Sequence, residues 1–152
     1  MKKRIESRSD VQKDIEEHML ERIQVKLGRI ILKGNKRRYL DAENKVYIYP
    51  DFFSEREKVI GEIHAHIGRL KPAQQHKIAA DALKMILHDK ACGDEYHKYI
   101  AVCDISEYEC LTGESYLAKA LREFEIDVLM VEIPENMRRR LRDAMKRQDL
   151  TK

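Results

Sequence analysis

The chain has 152 residues, of which 43% are hydrophobic and 38% are charged, and its formal net charge at pH 7 is +3. This length predicts one domain with one core. So small a net charge does not by itself indicate that the protein binds nucleic acid. The six glycines are scattered and form no phosphate-cradling loop, and the sequence has no Gly-x-Ser-x-Gly elbow. No apolar run approaches the roughly 20 residues of a membrane span. Three cysteines without paired spacing favour reduced thiols, so we expect a cytoplasmic protein.

The first predicted helix carries a carboxylate on its apolar side. Residues 1–8 are polar and basic, and we expect them to be a flexible leader ahead of a domain that spans 9–152. Apolar residues then recur every four positions from a cap at Ser9 or Asp10 to a stop at Gly28. Glu16 falls inside the apolar arc of this helix. Its carboxylate either reaches water at the helix edge or lies beside a functional site.

Short strands are predicted next, and they include a basic cluster. Arg29–Leu32 and Arg37–Leu40 are expected to pair with Val46–Asp51 in an antiparallel meander. Within it, Arg37 and Arg38 either form a solvated turn or contact nucleic-acid phosphates.

Two neighbouring predicted strands bring carboxylates and imidazoles together. Asp51 ends the strand Val46–Asp51, and Glu62, His64 and His66 share one face of the strand Val59–His66. Carboxylates held by sheet hydrogen bonds suit a hard cation such as Mg²⁺, which polarises phosphate oxygens and acidifies water. The two imidazoles at period two make the same face a candidate metal-ligand face.

The second half predicts helices alternating with apolar strands. A helix from Pro72 to about His88 carries Gln75 and Lys77, which either face solvent or lean over the corner formed by Asp51 and Glu62. Apolar strands at Tyr99–Asp104 and Ile126–Ile133 flank a helix that opens at Thr112, an arrangement that predicts a crossover.

The last predicted helix, Glu135–Gln148, is strongly basic. Its apolar positions are four residues apart, so it docks along one narrow seam. The basic face is either an ordinary solvated surface or a contact for a nucleic-acid backbone. The candidate contacts on it are Arg138, Arg139 and Arg142.

Pro50-Asp51, ten intervening residues and then Glu62-Ile63-His64, with a helix carrying Glu16 in front and a helix and strand behind, resemble the PD-(D/E)XK nuclease superfamily. The resemblance covers about residues 10–133. It implies an α/β, restriction-endonuclease-like fold, with a mixed central β-sheet flanked by helices in the order α-β-β-β-α-β-α-β-α. It also implies Mg²⁺- or Mn²⁺-dependent cleavage of DNA, with Asp51 and Glu62 as metal ligands and Glu16 as an additional acid. A homodimer is expected from the same resemblance.

The sequence departs from the family pattern at His64, which stands where the pattern has lysine. Either the imidazole replaces the lysine as base or hydrogen-bond donor, or Lys77 supplies the charge from the next helix, or the site only binds.

The leading hypothesis is therefore a DNA endonuclease of a restriction, repair or mobile-element system. One alternative is a non-catalytic nucleic-acid-binding or assembly module of the same fold. A second is a Zn²⁺ or Mn²⁺ hydrolase in which Glu62, His64 and His66 act with Asp51. Independently of that alternative, His66 and Gln75 are candidates for additional metal or phosphate contacts.

Overall fold

A computed structural model describes residues 7–34 and 36–150 of the chain. Helices and strands alternate along most of it, and they are, in chain order, α1 (Arg8–Lys26), β1 (Arg38–Tyr39), β2 (Tyr47–Ile48), β3 (Phe52–Ser54), β4 (Val59–His64), α2 (Pro72–Cys92), β5 (His97–Val102), α3 (Ile105–Thr112), α4 (Tyr116–Glu123), β6 (Ile126–Met130) and α5 (Glu135–Leu150).

The central sheet has four strands in the order β3-β4-β5-β6. β3 runs antiparallel to β4, whereas β4, β5 and β6 are mutually parallel. The chain thus has the predicted α/β architecture, a mixed sheet flanked by helices. The predicted meander is only partly correct, because β1 and β2 pair in a separate two-stranded sheet and Arg29–Leu32 is not a strand. Beside that segment, Lys33 makes an isolated bridge to Phe53.

Helices cover both faces of the sheet. The apolar residues of α1 and α5 pack with alternate residues of β4, such as Val59 and Ile63, in one cluster. The other cluster places α2 and α4 against Ile60 and Ile100. Because side chains of a strand alternate between faces, Glu62 and His64 point to the side of α2.

The structure moves the start of the first helix into the predicted leader. Ser7 caps α1 by accepting a hydrogen bond from the Asp10 backbone, and the Asp10 carboxylate accepts one from the Ser7 backbone in return. Arg8 is therefore helical and contacts Gln148 of α5. The rest of the predicted leader, residues 1–6, lies outside the described residues.

Further boundaries differ from the expectation. The segment after β5 forms α3, which was not predicted, and the helix expected to open at Thr112 is α4, which starts at Tyr116. The predicted strands Val59–His66, Tyr99–Asp104 and Ile126–Ile133 end at His64, Val102 and Met130. None of the helices in residues 7–34 and 36–150 is long and apolar enough to cross a membrane.

Candidate functional site

Asp51 and Glu62 face each other across the β3–β4 pairing. Asp51 does not end the predicted strand Val46–Asp51, since β2 stops at Ile48 and Asp51 directly precedes β3. Phe52 pairs with Gly61, so the same register sets Asp51 opposite Glu62. The Asp51 Oδ2 accepts a hydrogen bond from the Ile63 backbone N–H at 2.8 Å, and the Asp51 carboxyl group is close enough to that of Glu62 to raise the pKa of Glu62.

Two glycines allow this approach of the strands. The Phe52 ring lies directly over Gly61, where any β-carbon would collide with it. A β-carbon on Gly34 would lie 2.7 Å from the Asp51 carbonyl oxygen. Both close approaches require glycine, and both fix the backbone next to the carboxyl pair.

Burial controls the protonation of the pair. Glu62 is only 8% exposed, and this burial, together with the adjacent Asp51 carboxyl group and the charge of Asp81, raises the pKa of Glu62 to about 10. Two carboxylates in contact repel each other unless a proton or a cation compensates their charge. At neutral pH the pair therefore holds a proton that a divalent cation can replace.

Helices on both faces of the sheet add carboxylates to this pair. Burial and the charge of Asp51 raise the pKa of Glu16 on α1, against the opposing effect of Lys77. Burial also raises the pKa of Asp81 on α2, although the neighbouring Lys84 and Lys77 oppose it. We call Asp51, Glu62, Glu16 and Asp81 the carboxylate cluster. Its members include the three acidic residues that the sequence singled out.

Lys77 lies close enough to this cluster to act on it electrostatically. Its charge lowers the pKa values of Glu16 and Asp81, and it contributes to the lowered pKa of His64. The side chain itself is exposed. Gln75, the other candidate on α2, donates a hydrogen bond to the Leu70 carbonyl oxygen at 3.2 Å, so it serves the helix start.

His64 and His66 lie together with Glu107 of α3 in a second group, which we call the imidazole cluster. The His66 Nδ1 contacts the Glu107 Oε1, and the His64 Nε2 is 3.8 Å from the same oxygen. Burial lowers the pKa of His64 to about 4, aided by nearby His66, so His64 is neutral at pH 7. Burial also raises the pKa of Glu107 to about 7, although its contact with His66 opposes the rise.

Glu107 was not a candidate from the sequence, because no helix was predicted at this position. Asp104 and Glu107 have the spacing of a helix start, an acidic cap followed three residues later by glutamate. That spacing was the available signal for a helix at this position. The contact of Glu107 with the two imidazoles is a tertiary contact, and no local sequence pattern predicts it.

Of the two predicted basic contacts near β1, one is accessible and one is occupied. Arg37 hydrogen-bonds to the Tyr49 hydroxyl and lies over the Tyr47 ring, 4.6 Å from its centroid. The exposed rings of Tyr39, Tyr47 and Tyr49 pack edge to face in a row. Arg38 instead lies 3.5 Å from the centroid of the largely buried Phe53 ring.

Of the predicted nucleic-acid contacts on α5, one bonds within the protein and two are at least partly exposed. Arg138 donates hydrogen bonds to the Cys103 carbonyl oxygen at 2.9 Å and to the Asp104 carboxylate at 2.8 Å, so it ties α5 to the end of β5. Arg139 is exposed and Arg142 is partly exposed. α5 packs with α1, on the face of the sheet away from α2.

A large cavity in the described part of the chain lies away from both clusters. It has a volume of about 1170 Å³ and is lined by residues at the starts of β5 and β6, including His97 and Ile126. None of the candidate site residues lines it. Its position at the opposite end of the parallel strands separates it from both clusters.

Comparisons of the chain with protein-family models, curated proteins and solved structures found no match. Any assignment of function to this chain therefore depends on the chemistry of the two clusters.

Proposed function

We propose that this protein is a metal-dependent endonuclease that hydrolyses DNA phosphodiester bonds on a restriction-endonuclease-like fold. The observation that supports the proposal most strongly is the pairing of the half-buried Asp51, which directly precedes β3, with the buried Glu62 on β4. A pair of this kind, held in a rigid sheet, has the donor atoms and the charge to bind a divalent cation.

The donor set fits Mg²⁺ or Mn²⁺ because all the candidate ligands are carboxylate oxygens. Asp51 and Glu62 would hold the ion. No third carboxylate of the described residues joins Asp51 and Glu62 in a group whose ligand atoms all lie within 4.8 Å of one another, so we expect Glu16 to act through water. When bound, such an ion polarises phosphate oxygens and lowers the pKa of water. Asp51 stays positioned throughout by its hydrogen bond from the Ile63 backbone.

Lys77 is the better substitute for the lysine of the family pattern. His64 is neutral at pH 7 because burial lowers its pKa, so it supplies no positive charge to a phosphate. Lys77 carries that charge, and it lies within electrostatic reach of Glu16 and Asp81. We therefore assign the positive group of the reaction to Lys77 on α2.

The accessible arginine and tyrosines beside Asp51 suit contact with DNA. Tyr47 and Tyr49 belong to the segment that leads into Pro50 and Asp51, and Arg37 stacks against them. Aromatic faces and guanidinium groups bind bases and phosphates together. On α5, Arg139 and Arg142 remain candidates for contacts with the DNA backbone.

The alternative hydrolase with one softer ion among Asp51, Glu62, His64 and His66 finds less support. The imidazoles of His64 and His66 form a three-ligand group with Glu107. The imidazole and carboxylate clusters therefore offer separate ligand sets.

The proposal is tested by incubating supercoiled plasmid with the purified protein in Mg²⁺, Mn²⁺ or EDTA. We expect cleavage with either metal and none in EDTA. Asp51→Asn and Glu62→Gln are expected to lower the rate by about 10³-fold, since each removes a charged ligand of the ion.

Asp143→Asn is the matched control, because Asp143 is an exposed carboxylate on α5, and it is expected to cut at the wild-type rate. A wild-type protein that shifts DNA in a gel but does not cut it with either metal would contradict the proposal and favour the non-catalytic binding module.

A further inference from the structure

We infer that His64, His66 and Glu107 form a binding site for Zn²⁺, separate from the ion held by Asp51 and Glu62. One ligand atom from each of the three residues lies within 4.8 Å of the other two. The inference goes beyond the proposed nuclease activity, since it concerns a different ion in a different ligand set.

Two buried atoms in this cluster lack hydrogen-bond partners. They are the His64 Nε2 and the Glu107 Oε2. His64 is 8% exposed and Glu107 is 0% exposed, so solvent gives them little compensation. A buried polar atom without a partner loses its hydrogen bonds to water and gains none in return, which is unfavourable. A bound cation would give both atoms a partner at once.

The ligand types match zinc better than magnesium. Two imidazoles and one carboxylate are a frequent zinc ligand set, whereas Mg²⁺ prefers oxygen ligands alone. With zinc–ligand distances of about 2.0–2.2 Å, tetrahedral geometry separates neighbouring ligand atoms by about 3.3 Å. The His64 Nε2 is 3.8 Å from the Glu107 Oε1, and the His66 Nδ1 contacts the same oxygen. An ion among the three ligands therefore requires the His66 and Glu107 side chains to move apart to this spacing.

The backbone holds the two imidazoles beside each other. The His66 N–H donates a hydrogen bond to the His64 carbonyl oxygen at 3.2 Å, which closes a tight turn at the end of β4. The Cys103 thiol donates to the His66 carbonyl oxygen at 3.5 Å. The His64 and His66 ring centroids are 5.6 Å apart, with an angle of 31° between the ring planes. Both rings are thus positioned before any ion binds, which lowers the entropic cost of binding.

A second candidate group consists of His88, Asp89 and Cys92. Its carboxylate, unlike that of Glu107, has no buried oxygen that lacks a partner. Its carboxylate already has partners, because Asp89 Oδ2 lies 2.5 Å from the Lys98 Nζ and accepts a hydrogen bond from the Tyr96 backbone at 3.1 Å. No ion is needed to explain the position of Asp89.

The site is tested by dialysing the purified full-length protein against Zn²⁺, removing loosely bound ions, and measuring retained zinc by elemental analysis. We expect about one zinc ion per chain in the wild type, and at least a 10-fold loss of zinc affinity in His66→Ala and Glu107→Gln. His76→Ala, which removes an exposed imidazole on α2, and Asp51→Asn are expected to retain the zinc.

X-ray absorption of the zinc-loaded wild type provides a test that needs no variant. Scattering from two imidazoles is expected around the ion. An all-oxygen shell, retention of zinc by both His66→Ala and Glu107→Gln, or loss of zinc in Asp51→Asn would overturn the inference. The measurement is independent of nuclease activity, since a chain that cuts DNA without binding zinc refutes this site alone.

Discussion

The carboxylate and imidazole clusters lie next to each other on β4, yet their chemistry differs. Glu62 and His64 are two residues apart and point to the same side of the sheet. The carboxylate cluster offers oxygen ligands and has the exposed Lys77 nearby. The imidazole cluster is closed off by α3, whose Glu107 is fully buried.

The two clusters differ because the side chains of Glu62 and His64 have different neighbours. At Glu62 the neighbour across the sheet is another acid, so the local charge is negative and favours a hard cation. At His64 the neighbours are an imidazole and the carboxylate of α3, which together favour a borderline metal. Under the two proposed assignments, residues of one strand contribute to two ligand sets of different type, and different elements complete each set.

The largest expected difference between the two clusters is in how pH changes the free energy of unfolding when no divalent cation is present. The pKa of Glu62 rises from 4.5 to about 10 on folding, so the folded chain holds a proton that the unfolded chain loses. The resulting stabilisation is complete below pH 4.5 and is lost as the pH rises towards about 10. Between about pH 6 and about pH 9 the loss is at most about 4 kcal/mol.

Urea unfolding in EDTA at these two pH values measures the loss. Glu62→Gln, which cannot ionise, should lose less stability than the wild type, and added Mg²⁺ should reduce the loss in the wild type. Equal losses in the two proteins would show that Glu62 does not retain its proton.

Replacing Lys77 tests the carboxylate cluster without changing a proposed metal ligand. Lys77→Met is expected to lower the cleavage rate by about 10²-fold, the usual effect of removing one group that stabilises developing charge. Lys90→Met, an exposed lysine near the end of the same helix, is the control and should cut normally. Single-turnover rates at saturating DNA distinguish this effect from weaker binding. A normal rate for Lys77→Met would contradict the assignment of the positive group to Lys77.

Zinc should stabilise the fold through the imidazole cluster. At a free zinc concentration about 100 times the dissociation constant, linkage predicts about 2.7 kcal/mol. For a chain of this size that corresponds to an increase in Tm of about 5–10 °C. Differential scanning fluorimetry should show the full increase in wild type and in His76→Ala, and about half of it or less in Glu107→Gln at the same zinc concentration. The same increase in Glu107→Gln would place the zinc elsewhere.

A smaller change should affect the carboxylate cluster alone. Gly34→Ala places a β-carbon against the Asp51 carbonyl oxygen, and the backbone must move to admit it. We expect a stability loss of about 1–3 kcal/mol and cleavage about 10-fold slower, since small misplacements reduce the rate sharply. Zinc stoichiometry should stay unchanged. Cleavage at the wild-type rate would mean that this contact does not position Asp51.

The sequence predicted the carboxylate cluster better than the imidazole cluster, for a physical reason. Asp51 and Glu62 come from strands joined by a short turn, and the side-chain period of a strand places acids on one face. The structure brings both residues together, even though the strand expected to end at Asp51 stops at Ile48.

The imidazole cluster depends on a contact across 41 positions, from His66 to Glu107. The alternation expected along Val59–His66 placed His64 and His66 on one face, whereas β4 ends at His64 and a turn holds His66 beside it, and the pattern gave no information about the third ligand. α3 has only eight residues, too few for a clear helical period. Arg138 illustrates the same limit, because its basic helix predicted a surface contact while its actual partner is Asp104 on another element.

One measurement tests most directly whether the two clusters take different ions. Mn²⁺ binding is followed by electron paramagnetic resonance on zinc-loaded wild type, Glu62→Gln and Asp143→Asn, without DNA. We predict that wild type and Asp143→Asn bind Mn²⁺ and that Glu62→Gln binds it at least 10-fold more weakly. Equal Mn²⁺ binding by Glu62→Gln would contradict the assignment of Asp51 and Glu62 as the site of the hard cation.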